Sequence, residues 1–444
     1  MKTRYPHNQP IAAAMHLWPL TTVIDERGRL IIGGCDAATL AHGYGTPLYI
    51  FDEATIRAAC RTYRAALASC YRGETTVHYA SKALLNTAIA RLIADEELGL
   101  DVVSGGELYV ALRAGFPPQR IHLHGNAKTR DELEQALAAG IGQIVIDNLD
   151  ELEMLVNLTA HRPYPQAVAL RIAPDIATDT HAHIQTGHAA SKFGLPLAAL
   201  DAAATRLRET SSLTLTGIHA HLGSQLFDLK PYAAAIDVLL DSAARLRDYH
   251  ELTIEEINIG GGVGVPYTAD QRPMDIHAYA ALIADTLTYG CLQRGFPLLR
   301  LVIEPGRSIV ARAGVALYTI VATKPLPHTR LLHIDGGMGD NIRPALYDAH
   351  YTVVLAERVD AAVEEVVGIT GRYCESGDVL IRAAHLPRAR VGDILAVPVA
   401  GAYTLSMAGT YNLVPRPAVV MVKDGAARLI QRRETYDDLV ARDV

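Results

Sequence analysis

The feature that most constrains the fold is a regular alternation of segments between about Thr75 and Gly306. Short apolar runs, TTVHYA, LGLDVV, RIHLHG, QIVIDN, AVALRI, LTGIHAHLG, EEINIGGG and LRLVIEPG, are separated by amphipathic stretches such as RDELEQALAAG and DLKPYAAAIDVLLDSAARL. Runs of that length with helical spacers predict strands joined by crossover helices, and therefore parallel pairing. Eight such repeats in roughly 250 residues match a closed TIM barrel, whereas an open doubly wound sheet more often stops at about five or six strands. After Gly314 the texture changes: VALYTIVAT, LLHIDGG, YTVVLAE, EEVVGITG, DILAVPVAG and AVVMVKDG follow one another without long helices between them. That pattern predicts an antiparallel β domain. The strand-like TTVIDERGRLIIGG ahead of the barrel is expected to pair with it. The sequence thus reads as an α/β TIM barrel over residues 46–312 and a discontinuous, mostly antiparallel β domain formed by 1–45 and 313–444.

A chain of 444 residues, 50% hydrophobic, can fill two cores of this kind. Its net charge of −7 with 20% charged residues leaves no basic surface of the sort that nucleic acid or an anionic membrane selects. Cys35, Cys60, Cys70, Cys291 and Cys374 make an odd number with no CxxC pair, which argues against a disulfide framework or a structural zinc and for a reducing compartment. The apolar stretch in MKTRYPHNQPIAAAMHLWPL is broken by His16 and Pro19, too short to span a membrane and a poor signal peptide. A cytoplasmic location is expected.

In a TIM barrel the strand ends on the C-terminal side carry the active site. Reading only those ends gives Lys82, Ser104-Gly105-Gly106, His124-Gly125-Asn126, His221-Leu222-Gly223-Ser224, Gly260-Gly261-Gly262 and Glu304-Pro305-Gly306-Arg307. Each has an ordinary reading. Lys82 can reach from the first turn into solvent, the glycines can make a tight turn, His221 can be a satisfied core histidine, and Glu304 with Arg307 can be a structural ion pair. Their convergence on one mouth points elsewhere. A buried amine is costly unless it is paired, deprotonated or covalently bonded, glycines at a strand end let backbone N–H groups close on a phosphate, and a flat imidazole and a carboxylate can hold an aromatic ring. Together these are parts for binding pyridoxal phosphate: Lys82 for the covalent bond, the glycines and Ser224 for the phosphate, His221 for the ring face and Glu304 for the ring nitrogen. No metal is called for.

From residue 46 onward the chain resembles the fold-type III pyridoxal-phosphate decarboxylases, whose barrel is of the alanine racemase type. The resemblance rests on ten motifs in order: HYASKA, LDVVSGGEL, HGNAKT, THAHIQTGHAASKFG, HLGSQ, GGGVGVPY, EPGRS, IDGGMGDNIRPALYDAHY, CESGD and GAYTLSMAGTYNLVPRP. It implies that Lys82 is the cofactor lysine, Glu304 the partner of the pyridine nitrogen and His221 the stacking histidine. It also implies that Ser224, Gly261, Gly262, Gly306 and Arg307 form the phosphate site and that Tyr403 lies near the cofactor. Cys374 and Glu375 match a pair that the family donates across a homodimer with shared active sites. Cys374 is then the candidate acid that returns a proton after carbon dioxide leaves.

A glutamate at the ring nitrogen favours decarboxylation over racemisation, since a racemase of the same fold is similar except for an arginine there, which weakens the electron sink. At the far end of the substrate, Arg307, Arg343, Tyr347, Glu375 and Tyr403 match residues that grip a second amino-acid group, which favours meso-2,6-diaminopimelate. Asp348 cuts the other way, because ornithine-type decarboxylases resemble this chain with an acidic residue that meets a distal amine. Arg372-Tyr373 and Leu413-Val414 depart from the family pattern near the expected rim and leave room for a modified or carrier-tethered amino acid. A catalytically silent regulator that binds pyridoxal phosphate is the reading from another class, and retention of Lys82 and Cys374 argues against it.

Overall fold

The structure is a computed structural model that describes residues 11–176 and 191–444. The first ten residues, at the start of the expected β domain, and most of the THAHIQTGHAASKFG motif lie outside the described residues. The chain divides into two compact units. One comprises residues 59–264 and 274–306, the other residues 1–58, 265–273 and 307–444.

In the first unit all eight apolar runs form strands: β1 (Thr75–Ala80), β2 (Gly99–Val102), β3 (Ile121–Leu123), β4 (Gln143–Ile146), β5 (Gln166–Ala173), β6 (Leu213–His219), β7 (Glu256–Asn258) and β8 (Arg300–Ile303). Each is parallel to the next, and β8 pairs with β1 through Leu301 to Thr75, so the sheet closes. Local chemistry starts and stops the helices between them. The helix Arg130–Ala139 opens with a capping box, in which Thr129 Oγ1 accepts from Glu132 N and the Glu132 side chain accepts from Thr129 N, and it ends at Gly140 in the left-handed conformation. Asn86 caps Thr87–Asp95 by accepting from the N–H groups of Ala88 and Ile89.

The barrel interior departs from the branched aliphatic filling usual in this fold. Gln143 on β4 donates across the barrel to Glu256 on β7 at 2.6 Å. His78 on β1 lies on His122 of β3 with ring centroids 3.8 Å apart, and His124 meets His219 edge-on at 4.9 Å. Gly99 makes the first contact possible, since a Cβ there would come within 2.4 Å of the His78 ring.

In the second unit a large, mostly antiparallel sheet runs in the order Val379–Leu386, Glu365–Thr370, Arg330–Ile334, Gly314–Pro325, Leu48–Asp52, Ala418–Lys423, Ala426–Gln431. Ile394–Val397 also pairs with Gly314–Pro325, and of YTVVLAE only Val354–Leu355 is strand, pairing with Ile394–Val397. TTVIDERGRLIIGG does not join this sheet. Its strands Val23–Ile24 and Leu30–Ile32 pair with each other, and the latter with Cys35–Asp36, in a sheet of their own. The turn explains the local pairing: Asp25 Oδ1 accepts from the N–H groups of Arg27 and Arg29, and Gly28 N donates to Asp25 O. The segment meets its unit through isolated backbone bonds, Leu30 N to Ala356 O, Val359 N to Gly28 O and Gly425 N to Gly33 O. No helix among the described residues is long and apolar enough to cross a membrane.

Candidate active site

Because the barrel strands are parallel, the residues that follow them share one rim. Lys82 sits in a short 3-10 turn, Ser81–Ala83, immediately after β1, with its side chain exposed between two buried neighbours. Ser81 is fixed by donating to Glu107 Oε2 at 2.6 Å. His221, two residues past the end of β6, accepts from Gly261 N at 3.2 Å through Nδ1, and this assigns the ring proton to Nε2 in the neutral imidazole. Burial, reinforced by Lys82 and Arg171, holds the His221 pKa well below the usual range, so the neutral form is the one present.

Glu304, just past β8, is buried in a set of donors. Asn258 Nδ2 donates to Oε1 at 2.6 Å, His219 Nε2 lies 3.1 Å from Oε2, and His124 Nε2 lies 3.1 Å from Oε1. Burial alone would raise its pKa, but His124 and His219 outweigh that and keep the carboxyl ionised. Burial lowers the pKa of both histidines, His124 to about 4; His219 Nε2 is placed to hydrogen-bond the carboxylate, whereas His124 Nε2 lies near Oε1 without a hydrogen bond. Asp101 approaches the same nitrogen, its Oδ1 3.7 Å from His124 Nε2, and neighbours Glu304. Burial first, and Glu304 second, push the Asp101 pKa well above the usual range. Two carboxyl groups in one dry site therefore divide, one ionised and one holding its proton.

The glycine run is packed directly on neighbouring backbone. A Cβ on Gly261 would come within 2.2 Å of Glu304 O, and one on Gly262, at φ +108, within 2.5 Å of Gly223 O. Gly306 packs on the end of β1, where a Cβ would lie 3.0 Å from Ala80 Cβ.

Ser224 lies in the first unit, half-buried in the loop after β6, and the other expected residues lie in the second unit, in two groups. In the first, Arg307 Nη1 donates to Tyr267 OH at 2.8 Å and its guanidinium lies 4.6 Å over the Tyr403 ring. Arg343 is buried over the Tyr267 ring at 4.4 Å and donates from Nη1 to Tyr351 OH at 2.6 Å. Tyr347 closes the short helix Arg343–Tyr347, and Asp348 caps it in the left-handed conformation, φ 50, donating its N–H to Arg343 O. In the second group, Cys374 and Glu375 are exposed on a tightly held loop. Asp378 accepts from Tyr373 N at 2.9 Å and Met338 N at 2.7 Å, while Asn412 Oδ1 accepts from Cys374 N at 2.9 Å. Of the two departures near the rim, Tyr373 is buried and stacked on Tyr411, and Leu413 is 67% exposed.

Comparison with known proteins follows this geometry. Residues 53–311 match the family model described as pyridoxal-dependent decarboxylase, pyridoxal binding domain. The chain is 43% identical over 423 residues to the diaminopimelate decarboxylase of Bacillus subtilis strain 168, covering 95% of this chain and 96% of that one. It is 40% identical over 449 residues to the diaminopimelate decarboxylase of Mycobacterium tuberculosis, covering 98% and 100%. Among solved structures, diaminopimelate decarboxylase from M. jannaschii in complex with L-lysine superposes with a TM-score of 0.89 at 36% identity, covering 96% of this chain and 98% of that one. The chain belongs to the diaminopimelate decarboxylase family.

The family's cofactor is pyridoxal phosphate, and the barrel rim fits it. Gly261 and Gly262 pack too closely on the backbone of Glu304 and Gly223 to carry a side chain, so their backbone is bare at the rim; an exposed amine stands at the same rim, and a carboxylate is held there by the Asn258 amide. Several members of this family site escaped the reading by strand ends. Asp101, His219 and Asn258 lie within the strands, His124 was read only as part of a strand end, and Tyr267 follows the glycines by a few residues. A period-2 pattern with polar residues at inward positions was the available signal for the first three. Two buried triplets, His78–Asp101–His122 and His124–His219–Glu304, also have donor atoms within 4.8 Å of one another, a set a divalent cation accepts, although the sequence called for none.

Proposed function

We propose that this chain decarboxylates meso-2,6-diaminopimelate to L-lysine and carbon dioxide, the last step of lysine biosynthesis by the diaminopimelate route. Pyridoxal phosphate, when bound, supplies the electron sink for the charge left at Cα as carbon dioxide departs. Lys82 would bond it covalently, Ser224, Gly261, Gly262, Gly306 and Arg307 would hold its phosphate, His221 would cover its ring face, and Tyr403 would lie near it. Glu304 provides a fixed negative charge where a ring nitrogen keeps its proton. Its donors need no rearrangement as charge develops, which is the condition for electrostatic stabilisation of a transition state. Cys374 returns a proton to Cα from its thiol, and Glu375 with Tyr347 takes the distal ammonium.

The observation that carries the substrate choice is Arg343, a buried cation whose Nε has no hydrogen-bond partner. A substrate ending in ammonium alone would meet that charge with repulsion, whereas a second carboxylate would pair with it. Asp348, the residue that spoke for ornithine, has a structural reason to be there, since aspartate tolerates the left-handed cap. The proposed partners are the amino-acid substrate and a second copy of the chain, in the cytoplasm, with no nucleic acid or membrane. In the homodimer each site would be completed by Cys374 and Glu375 of the partner subunit, a role that suits their exposure on a rigid loop.

The test is a panel of meso-diaminopimelate, ornithine, lysine and arginine with carbon dioxide and product measured for each. Lysine and carbon dioxide in equal amounts from the first substrate, with little turnover of the others, supports the reading. A diamine formed as readily from ornithine overturns it.

A further inference from the structure

Tyr267 is the residue around which the second unit arranges its two buried arginines. Its hydroxyl accepts from Arg307 Nη1 at 2.8 Å, and its ring face carries the Arg343 guanidinium at 4.4 Å. Tyr351 stands edge-on to it at 5.4 Å and accepts from Arg343 on the far side at 2.6 Å. The backbone of Tyr267 is pinned at both ends, its N–H donating to Gln271 Oε1 at 2.7 Å and its carbonyl accepting from Thr352 Oγ1 at 3.3 Å.

Guanidinium groups on long, rotamer-rich stems are precise recognition elements only where something holds them, and two of them buried together repel. A neutral tyrosine answers both problems at once. The oxygen lone pair takes one cation, the negative π face takes the other, and neither contact neutralises the charges as a carboxylate would. The Arg343 Nε is left without a partner. A buried donor in that state is unsatisfied and favours an acceptor brought to it.

We propose that Tyr267 is a positioning residue that sets specificity for a substrate carrying a carboxylate at its far end, by fixing the Arg307 and Arg343 guanidinium groups in one orientation. This rests on the reading of a second substrate carboxylate given above. Tyr267 touches no reacting atom, so its loss should act on binding far more than on the chemical step.

The experiment uses cofactor-loaded protein and pimelate, the diacid that has both carboxylates and no amine, as a calorimetric probe beside steady-state kinetics. Tyr267→Phe keeps the ring and removes the acceptor. Loss of one hydrogen bond to a charged group should weaken pimelate binding about tenfold and raise KM for meso-diaminopimelate by a similar factor, with kcat falling far less than KM rises. Tyr267→Leu, which also removes the π face, should weaken binding about a hundredfold. If Tyr267→Leu fails to fold, the near-isosteric Tyr267→Phe still decides. Arg343→Met separates the two layers of the argument. Pimelate binding lost in Arg343→Met but kept within twofold in both Tyr267 variants would overturn the role of Tyr267 alone. Pimelate binding unchanged in Arg343→Met would overturn the distal-carboxylate reading and this inference with it. A fall in kcat as large as the rise in KM would assign Tyr267 to the chemistry instead.

Discussion

The barrel interior around Glu304 and the arginine–tyrosine group around Tyr267 are both buried, and each keeps a charge by using neutral groups rather than an opposite charge. In the barrel the retained charge is negative, held by the Asn258 amide and the His219 imidazole. In the second unit it is positive, held by phenol oxygens and ring faces. An opposite charge would stabilise either group more simply, but it would also consume the field that a ligand is meant to feel. The lesson is that a buried charge surrounded by neutral partners is charge kept available. On the proposed reading, the anion in the barrel serves the reacting end of a substrate and the cation in the other unit serves the remote end.

The largest expected effect lies at the barrel rim. Lys82→Ala should abolish both turnover and the visible absorbance of the bound cofactor, while leaving pimelate binding to the arginine group nearly intact. A variant that still carries lysine-linked cofactor after borohydride reduction and peptide mapping would remove Lys82 from its assigned place. Next comes Glu304→Gln, which keeps the shape and one acceptor oxygen but removes the charge. Turnover should fall about 10²- to 10³-fold, if a preorganised group of this kind contributes a few kcal/mol, with much less effect on cofactor affinity. Unchanged turnover would make Glu304 structural and erase the contrast between the two regions.

A third expectation is acid sensitivity in the barrel. His78 and His124, both lowered by burial from 6.5 to about 4, stay neutral in the folded protein where the unfolded chain takes up protons. Their contribution to stability is therefore complete above about pH 6.5 and is lost as pH falls toward about 4, each proton changing the slope by about 1.4 kcal/mol per pH unit. Denaturant unfolding of His78→Gln should show a shallower pH slope in that window than the parent, and an identical slope would contradict the burial argument. The smallest effect is expected from Asp101→Asn. Since Asp101 already holds its proton, the amide is a near replacement, and turnover should fall no more than about fivefold against the much larger loss in Glu304→Gln. Equal losses would mean that both carboxyls are ionised.

Much of the barrel was legible in the sequence because strands and crossover helices differ in period, and because residues at strand ends must face one rim. Lys82, His221, the glycines and Glu304 were found that way. The inner shell was harder to read, because its members acquire meaning only from cross-barrel partners. His219 meets Glu304 at a separation of 85 residues, and Asn258 meets it at 46. Tyr267 looked like the tail of a glycine motif until its bond to Arg307 placed it at the centre of a group. TTVIDERGRLIIGG falls in the expected unit but forms a small sheet of its own and does not extend the large one, because a tight turn at Asp25–Gly28 made local pairing available before any long-range one.

The division of labour between the two regions is tested most directly by one ratio, kcat/KM for meso-diaminopimelate over kcat/KM for ornithine, measured in the parent enzyme, in Glu304→Gln and in Arg343→Met. The account predicts a large ratio in the parent, the same ratio in Glu304→Gln although both rates are far lower, and a ratio reduced at least about a hundredfold in Arg343→Met. A ratio that collapses in Glu304→Gln, or survives in Arg343→Met, would contradict it.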